Sequence, residues 1–401
     1  MNRAVPAPRR AYDVQALVLQ GGGALGAYQA GVYQGLHEAG IEPDWVAGIS
    51  IGALNAALLA GNPPADRLDR LRTFWEAVCQ PAWPVPALDW AQDQLLQLAP
   101  HTRALFSGFE AWRAVVEGQQ AFFQPRGIAP WLGGEQGVAQ ASFYDTRALR
   151  HTLERLVDFD RLNDGPVRVS VGAVNVRTGN LQYFDTLDAA CRHHSPQART
   201  RLRAEHVMAS GALPPAFAAV EIDGEHYWDG GLVSNTPLDH VLGATPRRSL
   251  HAFQVDLWSA RGDLPENVYD AMARQKDIQY SSRTRASTDA QAGSQHMRRL
   301  LHELLALLPA GAEPDNAWVQ RARALACDQH FAVTHLIYRE KAWESSSKDY
   351  EFSLRTMREH WASGLDDIRQ TLAHPDWLRP DVHGAEFVTH DRLRGARTAG
   401  G

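Results

Sequence analysis

Short apolar runs alternate with helical patterns over the first sixty residues of the chain. Residues Val14–Leu19 are apolar except for one glutamine, which is typical of a strand buried on both faces of a sheet. Apolar residues then recur every four positions from 28 to 36, which predicts a helix. Trp45–Ala47 predicts a second strand, and the small residues from 53 to 60 predict a second helix. This order predicts parallel strands joined by crossover helices.

The remaining pattern predicts how the chain is organised. Residues near 80–140 are rich in Trp, Pro and Phe without a clear period, so we predict a helical insertion that covers part of the domain. After residue 260 amphipathic helical patterns dominate. We therefore predict a three-layer α/β/α domain with a mainly parallel central sheet over residues 14–260 and a largely helical extension over 261–401. Residues 1–13 carry three arginines and two prolines and predict a disordered basic arm.

Composition excludes several classes of function. The 401 residues carry 40 Lys and Arg against 46 Asp and Glu, a net charge of −6, which argues against a nucleic-acid-binding protein. Three dispersed cysteines without a CxxC pair argue against a disulfide scaffold or zinc ribbon and favour a reducing compartment. No apolar run reaches the roughly 18 residues of a membrane span. We expect a cytoplasmic protein, with any membrane contact peripheral.

A serine stands in a glycine-framed turn between the second strand and the second helix. Gly48 and Gly52 flank Ser50 in the pattern GxSxG, and a tight strand-to-helix turn needs neighbours without side chains. Such a turn presents the serine hydroxyl at the end of the sheet, beside the positive end of the helix. Ser50 is therefore a candidate nucleophile. The simpler alternative is an ordinary helix N-cap.

A glycine run lies at the end of the first strand and has three interpretations. Gly21, Gly22 and Gly23, with Gly26 three residues on, satisfy GxGxxG and could hold a dinucleotide pyrophosphate. The second strand, however, ends in the Ser50 turn and not in the acidic residue that such a site needs. The run could instead present backbone N–H groups to a developing oxyanion. A tight turn that simply requires glycine is the third interpretation.

The serine needs a proton acceptor, and composition alone does not select one of the 17 histidines. Asp229 is followed by Gly230 and Gly231 after a short predicted strand, so its carboxylate can approach another backbone closely. A plain Asx-turn would explain the same residues.

The three motifs in this order resemble the patatin-like phospholipase family. That resemblance implies a Ser–Asp dyad without histidine, in which Ser50 is the nucleophile and Asp229 accepts its proton. It implies an oxyanion hole at Gly21, Gly22 and Gly23, and no metal or other cofactor. It also implies acyl esters of lipids as substrates. One departure is Leu25, because many members carry a cation at the corresponding position, so we expect weakened oxyanion stabilisation.

Two questions stay open at the level of sequence. Seven aromatic residues of the insertion could line an acyl channel, contact a membrane or simply fill a core: Trp83, Trp90, Phe106, Phe109, Trp112, Phe122 and Phe123. The chain could also be a catalytically silent relative that binds lipid or a protein partner. The oligomeric state is not determined by any pattern in the sequence.

Overall fold

The computed structural model describes residues 11–80, 100–128, 130, 134, 137–187, 201–281, 284–308, 316–341, 343–379 and 385–391. The strands are β1 Val14–Leu19, β2 Trp45–Ile49, β3 Gln124–Pro125, β4 Tyr144–Asp145, β5 Arg168–Asn175, β6 Leu181–Asp185, β7 Val220–Ile222, β8 Glu225–Asp229, β9 Leu250–Asp256, β10 Phe331–Ile337 and β11 Phe387–Asp391. The helices are α1 Ala27–Glu38, α2 Ile51–Ala60, α3 Pro64–Val78, α4 Pro100–Glu117, α5 Arg147–Leu156, α6 Phe159–Asp164, α7 Ala204–Ser210, α8 Leu238–Leu242, α9 Val268–Tyr280, α10 Thr284–Ala306, α11 Ala317–Leu325 and α12 Leu354–Leu372. Single 3-10 turns cover Gly23–Gly26, Gly230–Leu232 and Pro375–Leu378.

A mixed sheet of nine strands forms the centre of the protein. Its order is β11–β10–β9–β1–β2–β5–β8–β7, with β6 paired to β5 outside this path. All pairings from β11 to β5 are parallel, whereas β6 and β8 pair antiparallel with β5. The predicted three-layer α/β/α fold with a mainly parallel sheet is confirmed.

Both faces of the sheet are buried, as the apolar run of β1 predicts. Leu17 and Leu19 point into a large core built with α1, α2, α3 and α12. Ala16 and Val18 point to the opposite face and pack with apolar residues of α8. The alternation follows from the two-residue period of a strand, and it gives the sheet a helical layer on each side.

The region after residue 260 is largely helical, as expected, but it also completes the sheet. β10 pairs with β9 over its whole length, and β11 pairs with β10. α12 packs against α1 at two glycines. A Cβ on Gly31 would lie 1.9 Å from the carbonyl oxygen of Trp361, and one on Gly364 would lie 2.0 Å from that of Tyr28. The boundary drawn at residue 260 therefore passes through one sheet and one hydrophobic core.

Several expectations concern residues that the structure leaves undescribed. The basic arm lies outside the described residues except for positions 11–13, and Trp83 and Trp90 of the insertion lie outside them as well. Among the helices that are described, none combines the length and the apolar character that crossing a bilayer requires.

Candidate active site

Ser50 occupies a strained turn between β2 and α2. Its φ of 55° and ψ of −124° place a residue with a side chain in a backbone region that glycine normally occupies. A Cβ on Gly48 would lie 2.3 Å from the backbone of Gly52, and one on Gly52 would lie 2.3 Å from the carbonyl oxygen of Leu19. Both motif glycines are therefore required by close packing, and the turn has the geometry of a nucleophile elbow.

Ser210, at the end of α7, supports this turn and was not singled out from the sequence. Its hydroxyl accepts a hydrogen bond from the N–H of Ser50 at 3.0 Å and donates one to the carbonyl oxygen of Gly172 at 2.6 Å. Because Ser210 is fully buried, it ties the strained turn to β5 without solvent.

β5 brings Asp229 beside Ser50. Ala173 and Val174 of β5 pair with both β6 and β8, so these two strands lie on opposite edges of β5. β2 shares the edge of β8, and it ends where Ile49 pairs with Gly172. Asp229 pairs with the next residue, Ala173. The end of β2 and the end of β8 therefore meet on neighbouring rungs.

The carboxylate of Asp229 is buried beside the predicted nucleophile. It accepts a hydrogen bond from the N–H of Gly231 at 2.7 Å. Burial raises the pKa of Asp229 to about 7, while the Ser50 hydroxyl and the N–H of Gly231 act in the opposite direction. A Cβ on Gly230 would lie 2.6 Å from the carbonyl oxygen of Gly172, so this glycine permits the close approach to β5.

The glycine run after β1 lies against Ser50, and its N–H groups have different partners. The N–H of Gly21 donates to the carbonyl oxygen of Asn235 at 3.2 Å, and that of Ala24 donates to the carbonyl oxygen of Asp349 at 2.8 Å. Within the described residues, the N–H groups of Gly22 and Gly23 have no hydrogen-bond acceptor. The expectation of three oxyanion donors therefore needs correction, because the N–H of Gly21 is already used.

Three side chains hold the glycine run in place, and the motifs did not reveal them. The amide of Asn235 donates to the carbonyl oxygen of Gly21 at 3.0 Å, and the indole of Trp258 donates to the same oxygen at 2.8 Å. The side chain of Gln20 accepts from the N–H groups of residues 257 and 258 at 2.6 and 2.9 Å. Gly26 allows α2 to approach, because a Cβ there would lie 2.5 Å from the side chain of Ile51.

Ser50 and Asp229 open into a cavity of about 270 Å³ that also borders Gly21–Gly23 and Gly231. Its apolar part is lined by Leu54, Ala114, Val115, Phe122, Phe123, Phe217 and Phe352. Its more polar part is lined by Asn235, Trp258, Tyr280, Asp349 and Tyr350. Phe122 and Phe123 of the predicted insertion thus border the site, whereas Phe109 and Trp112 are exposed to solvent. The region after residue 260 contributes Tyr280, Asp349, Tyr350 and Phe352 to this lining.

No histidine is among the described residues that line this cavity. Elsewhere, Ser170, His240 and Asp185 do lie together. There the same ring nitrogen, Nε2 of His240, contacts both partners, whereas a catalytic triad needs the serine and the carboxylate on opposite nitrogens. Ser170 is fully buried and donates its hydroxyl hydrogen to Asp185, so this cluster is structural.

The described residues contain no group of three His, Cys, Asp or Glu side chains arranged to hold a metal ion.

Comparisons with known proteins relate the chain to patatin-like proteins. The profile described as "Patatin-like phospholipase" matches residues 17–242, and that described as "Patatin phospholipase" matches residues 278–383. A search of curated proteins found no match.

Several solved structures are similar, among them VipD and ExoU. VipD from Legionella pneumophila is 14% identical, with 93% of this chain and 72% of that chain covered and a TM-score of 0.38. ExoU, from the type III secretion system of Pseudomonas aeruginosa and solved in complex with SpcU, is 16% identical, with 78% and 67% covered and a TM-score of 0.27. The family assignment rests on the profile match alone, which spans more than half of the 401 residues. The chain belongs to the patatin-like phospholipase family, whose members are lipid acyl hydrolases.

Proposed function

We propose that this protein is a serine acyl hydrolase that cleaves acyl esters of lipids with a Ser50–Asp229 dyad. The observation that carries the proposal is that Ser50 and the buried Asp229 lie together at the wall of a largely apolar cavity, with the Ser50 hydroxyl close enough to Asp229 to favour its ionised form. A serine in an elbow turn beside a base is the arrangement that nucleophilic catalysis needs.

Acylation follows from this geometry. The Oγ of Ser50 attacks the acyl carbonyl carbon while its proton moves to Asp229. The oxyanion that forms is stabilised by the N–H groups of Gly22 and Gly23, the two glycines of the run whose N–H groups have no acceptor among the described residues. One such donor contributes about 2.7–4 kcal/mol to lowering the barrier. The tetrahedral intermediate then expels the alcohol, which takes the proton from Asp229.

Deacylation uses the same groups in reverse order. Asp229, ionised again, accepts a proton from a water molecule that attacks the acyl-enzyme, and the proton passes to Ser50 as the fatty acid leaves. Burial supports this role, because a pKa of about 7 makes Asp229 a far stronger base than an exposed aspartate. No metal or cofactor takes part in either step.

The shape of the cavity supports a lipid substrate. Its apolar part, from Leu54 to the aromatic pair Phe122 and Phe123, suits an acyl chain, while the carbonyl to be attacked lies at Ser50. We assign the acyl chain to this side, and the alcohol part of the ester to the side near Tyr280 and Tyr350.

Labelling with a fluorophosphonate probe tests the nucleophile directly. Wild-type protein should be labelled, and Ser50→Ala should not, because the probe reacts only with an activated serine. Asp229→Asn should keep its fold but lose labelling and turnover of p-nitrophenyl esters. Asp223→Asn is the matched control, since this exposed aspartate lies at the tip of the same β7–β8 hairpin.

The alternative is a catalytically silent protein that binds lipid or a protein partner. It predicts no labelling of wild-type protein together with retained binding of fatty acid. Labelling that persists in Ser50→Ala would show that another residue is the nucleophile.

A further inference from the structure

The side of α4 that faces solvent is apolar. Leu105, Phe109, Trp112 and Val116 follow each other at spacings of four, three and four residues, so they lie in one row over three helical turns. Their side chains are exposed by 76%, 41%, 58% and 50%. The rings of Phe109 and Trp112 stack on each other in this row, with centroids 6.0 Å apart. We call these four residues the α4 stripe.

On the opposite side of α4, the small residues Ser107, Ala111 and Ala114 are almost completely buried. A surface helix normally directs its large apolar residues inward and its polar residues outward. In α4 the large apolar side chains face solvent and small side chains are buried. This arrangement buries less apolar area on folding than the usual one. Contiguous exposed apolar side chains of this kind mark a docking surface.

The α4 stripe continues into the catalytic cavity. Ala114 and Val115, on the same helix, line that cavity, and Val115 is also 45% exposed to solvent. Its backbone is held by the hydroxyl of Tyr144, which donates to the carbonyl oxygen of Val115 at 2.8 Å. On another side of the site, Leu232 and Val233 are exposed directly after Gly231. Apolar surface therefore borders the cavity from two directions.

The charges beside the stripe are neutralised within the protein. Arg113 pairs with Glu110 at 3.2 Å and with Glu117 at 3.3 Å. Arg103 pairs with Glu359 of α12 at 2.8 Å. Because these arginines already have acidic partners and the whole chain has a net charge of −6, electrostatic attraction to anionic lipid is not the driving force.

We propose that the α4 stripe docks on the surface of a lipid bilayer by hydrophobic insertion, with the cavity facing the membrane. This inference rests on the proposed lipid hydrolase function, because docking there lets an acyl chain pass from bilayer to cavity without crossing water. A second copy of the chain seated on the stripe would instead lie across the cavity and hinder the entry of substrate.

Vesicle binding tests the proposal independently of catalysis. Ser50→Ala protein is mixed with phosphatidylcholine vesicles and the bound fraction is measured by co-sedimentation. Adding Phe109→Glu and Trp112→Glu should weaken binding by more than about tenfold, because two apolar side chains can no longer be buried in lipid. Leu300→Glu with Leu304→Glu is the matched control. These leucines of α10 are 43% and 59% exposed, nearly the same as Phe109 and Trp112, and they do not line the cavity.

Three further measurements sharpen the result. Raising NaCl from about 0.1 M to about 1 M should not release the bound protein, since screening affects only electrostatic attraction. Trp112→Phe should retain binding, because an apolar side chain is kept at this position of the α4 stripe. With Ser50 restored, the Phe109/Trp112 variant should keep wild-type turnover of a short, water-soluble ester and lose turnover of phosphatidylcholine in vesicles.

Several outcomes would overturn the proposal. It fails if the Phe109/Trp112 variant binds vesicles as wild type does, if the α10 variant is the one that loses binding, or if sedimentation shows a dimer that only the α4 substitutions dissociate. A failure of the proposed hydrolase function would be seen in a different measurement. No ester would then be cleaved in a Ser50-dependent way, whether or not the protein binds vesicles.

Discussion

The carbonyl oxygen of Asp349 accepts a hydrogen bond at 2.8 Å from the N–H of Ala24, 325 positions earlier in the chain. The same oxygen lies where a side chain on Gly23 would be, since a Cβ there would be only 2.0 Å away. The region after residue 260 therefore shapes the glycine run beside Ser50. Lys276 holds Asp349 in turn, because its ammonium group contacts the two carboxylate oxygens at 2.7 and 3.0 Å.

Replacing Lys276 with Met should lower kcat by roughly tenfold with little change in KM. The reason is that Asp349 loses its partner, so the N–H groups of Gly22 and Gly23 are less well aligned with the oxyanion, which exists only in the transition state. Steady-state kinetics on a soluble ester measure both constants. Lys276→Arg should restore much of the activity. Arg339→Met, which removes an ion pair of an exposed arginine with Asp367, should leave kcat unchanged. An equal loss in both variants would contradict a positioning role.

Gly23→Ala should abolish activity and destabilise the protein. The added methyl group would collide with the carbonyl oxygen of Asp349, and the φ of +55° is unfavourable for alanine. Gly179→Ala separates the two causes, because Gly179 has a φ of +70° but no atom within 4 Å of the added Cβ. We expect this control to lose about 1 kcal/mol of stability, measured by urea unfolding, and to keep its activity. A fully active Gly23→Ala enzyme would refute the close contact.

Ser210→Ala should reduce kcat while the protein remains folded. The substitution leaves the N–H of Ser50 and the carbonyl oxygen of Gly172 without their buried partner, at a cost of about 1–3 kcal/mol. The strained Ser50 turn can then relax and move its hydroxyl away from Asp229. The effect is measured as a loss of fluorophosphonate labelling rate relative to Ser234→Ala. The Ser234 hydroxyl donates to the carbonyl oxygen of Thr236 in its own loop. Labelling at the wild-type rate would show that the turn holds itself.

The contribution of Asp229 to the stability of the protein should fall as pH rises from about 4 to about 7. Asp229 releases its proton near its ordinary pKa in the unfolded chain but only at about 7 in the folded protein. In this window Asp229 binds more protons in the folded state than in the unfolded state, so its contribution falls by on the order of 4 kcal/mol in total. Buried His206 and His251, whose pKa values are lowered by burial, act in the opposite direction, so urea unfolding of the wild type is compared with that of Asp229→Asn at about pH 4.5 and about pH 8. The wild type should lose stability relative to Asp229→Asn between these pH values, and an equal pH dependence of the two proteins would contradict the raised pKa.

The activity of the wild-type enzyme should follow the opposite trend. Only the ionised carboxylate accepts the Ser50 proton, so kcat/KM should rise with pH and level off above about 7. A plot of kcat/KM against pH for a soluble ester gives the apparent pKa. An activity that is constant down to about pH 5 would argue against Asp229 as the base.

Much of this protein was predictable because it depends on residues that are neighbours in the chain. Uniform apolar runs specify strands buried on both faces, and a glycine two positions on either side of Ser50 is typical of an elbow. A side chain at Gly48 would collide with the turn itself, at the backbone of Gly52. These local constraints determined the fold class, the family resemblance and the choice of Ser50 and Asp229 as candidates.

Only the tertiary structure decided how distant segments meet. Asp229 lies one rung beyond the end of β2 because β2 and β8 occupy the same edge of β5. The N–H of Gly21 is hydrogen-bonded because the chain passes beside it at Asn235. Likewise, no local pattern marks Asp349 as a support of the glycine run. Steric rules between adjacent residues can be read from the sequence, whereas contacts across hundreds of positions arise from the packing of the whole sheet.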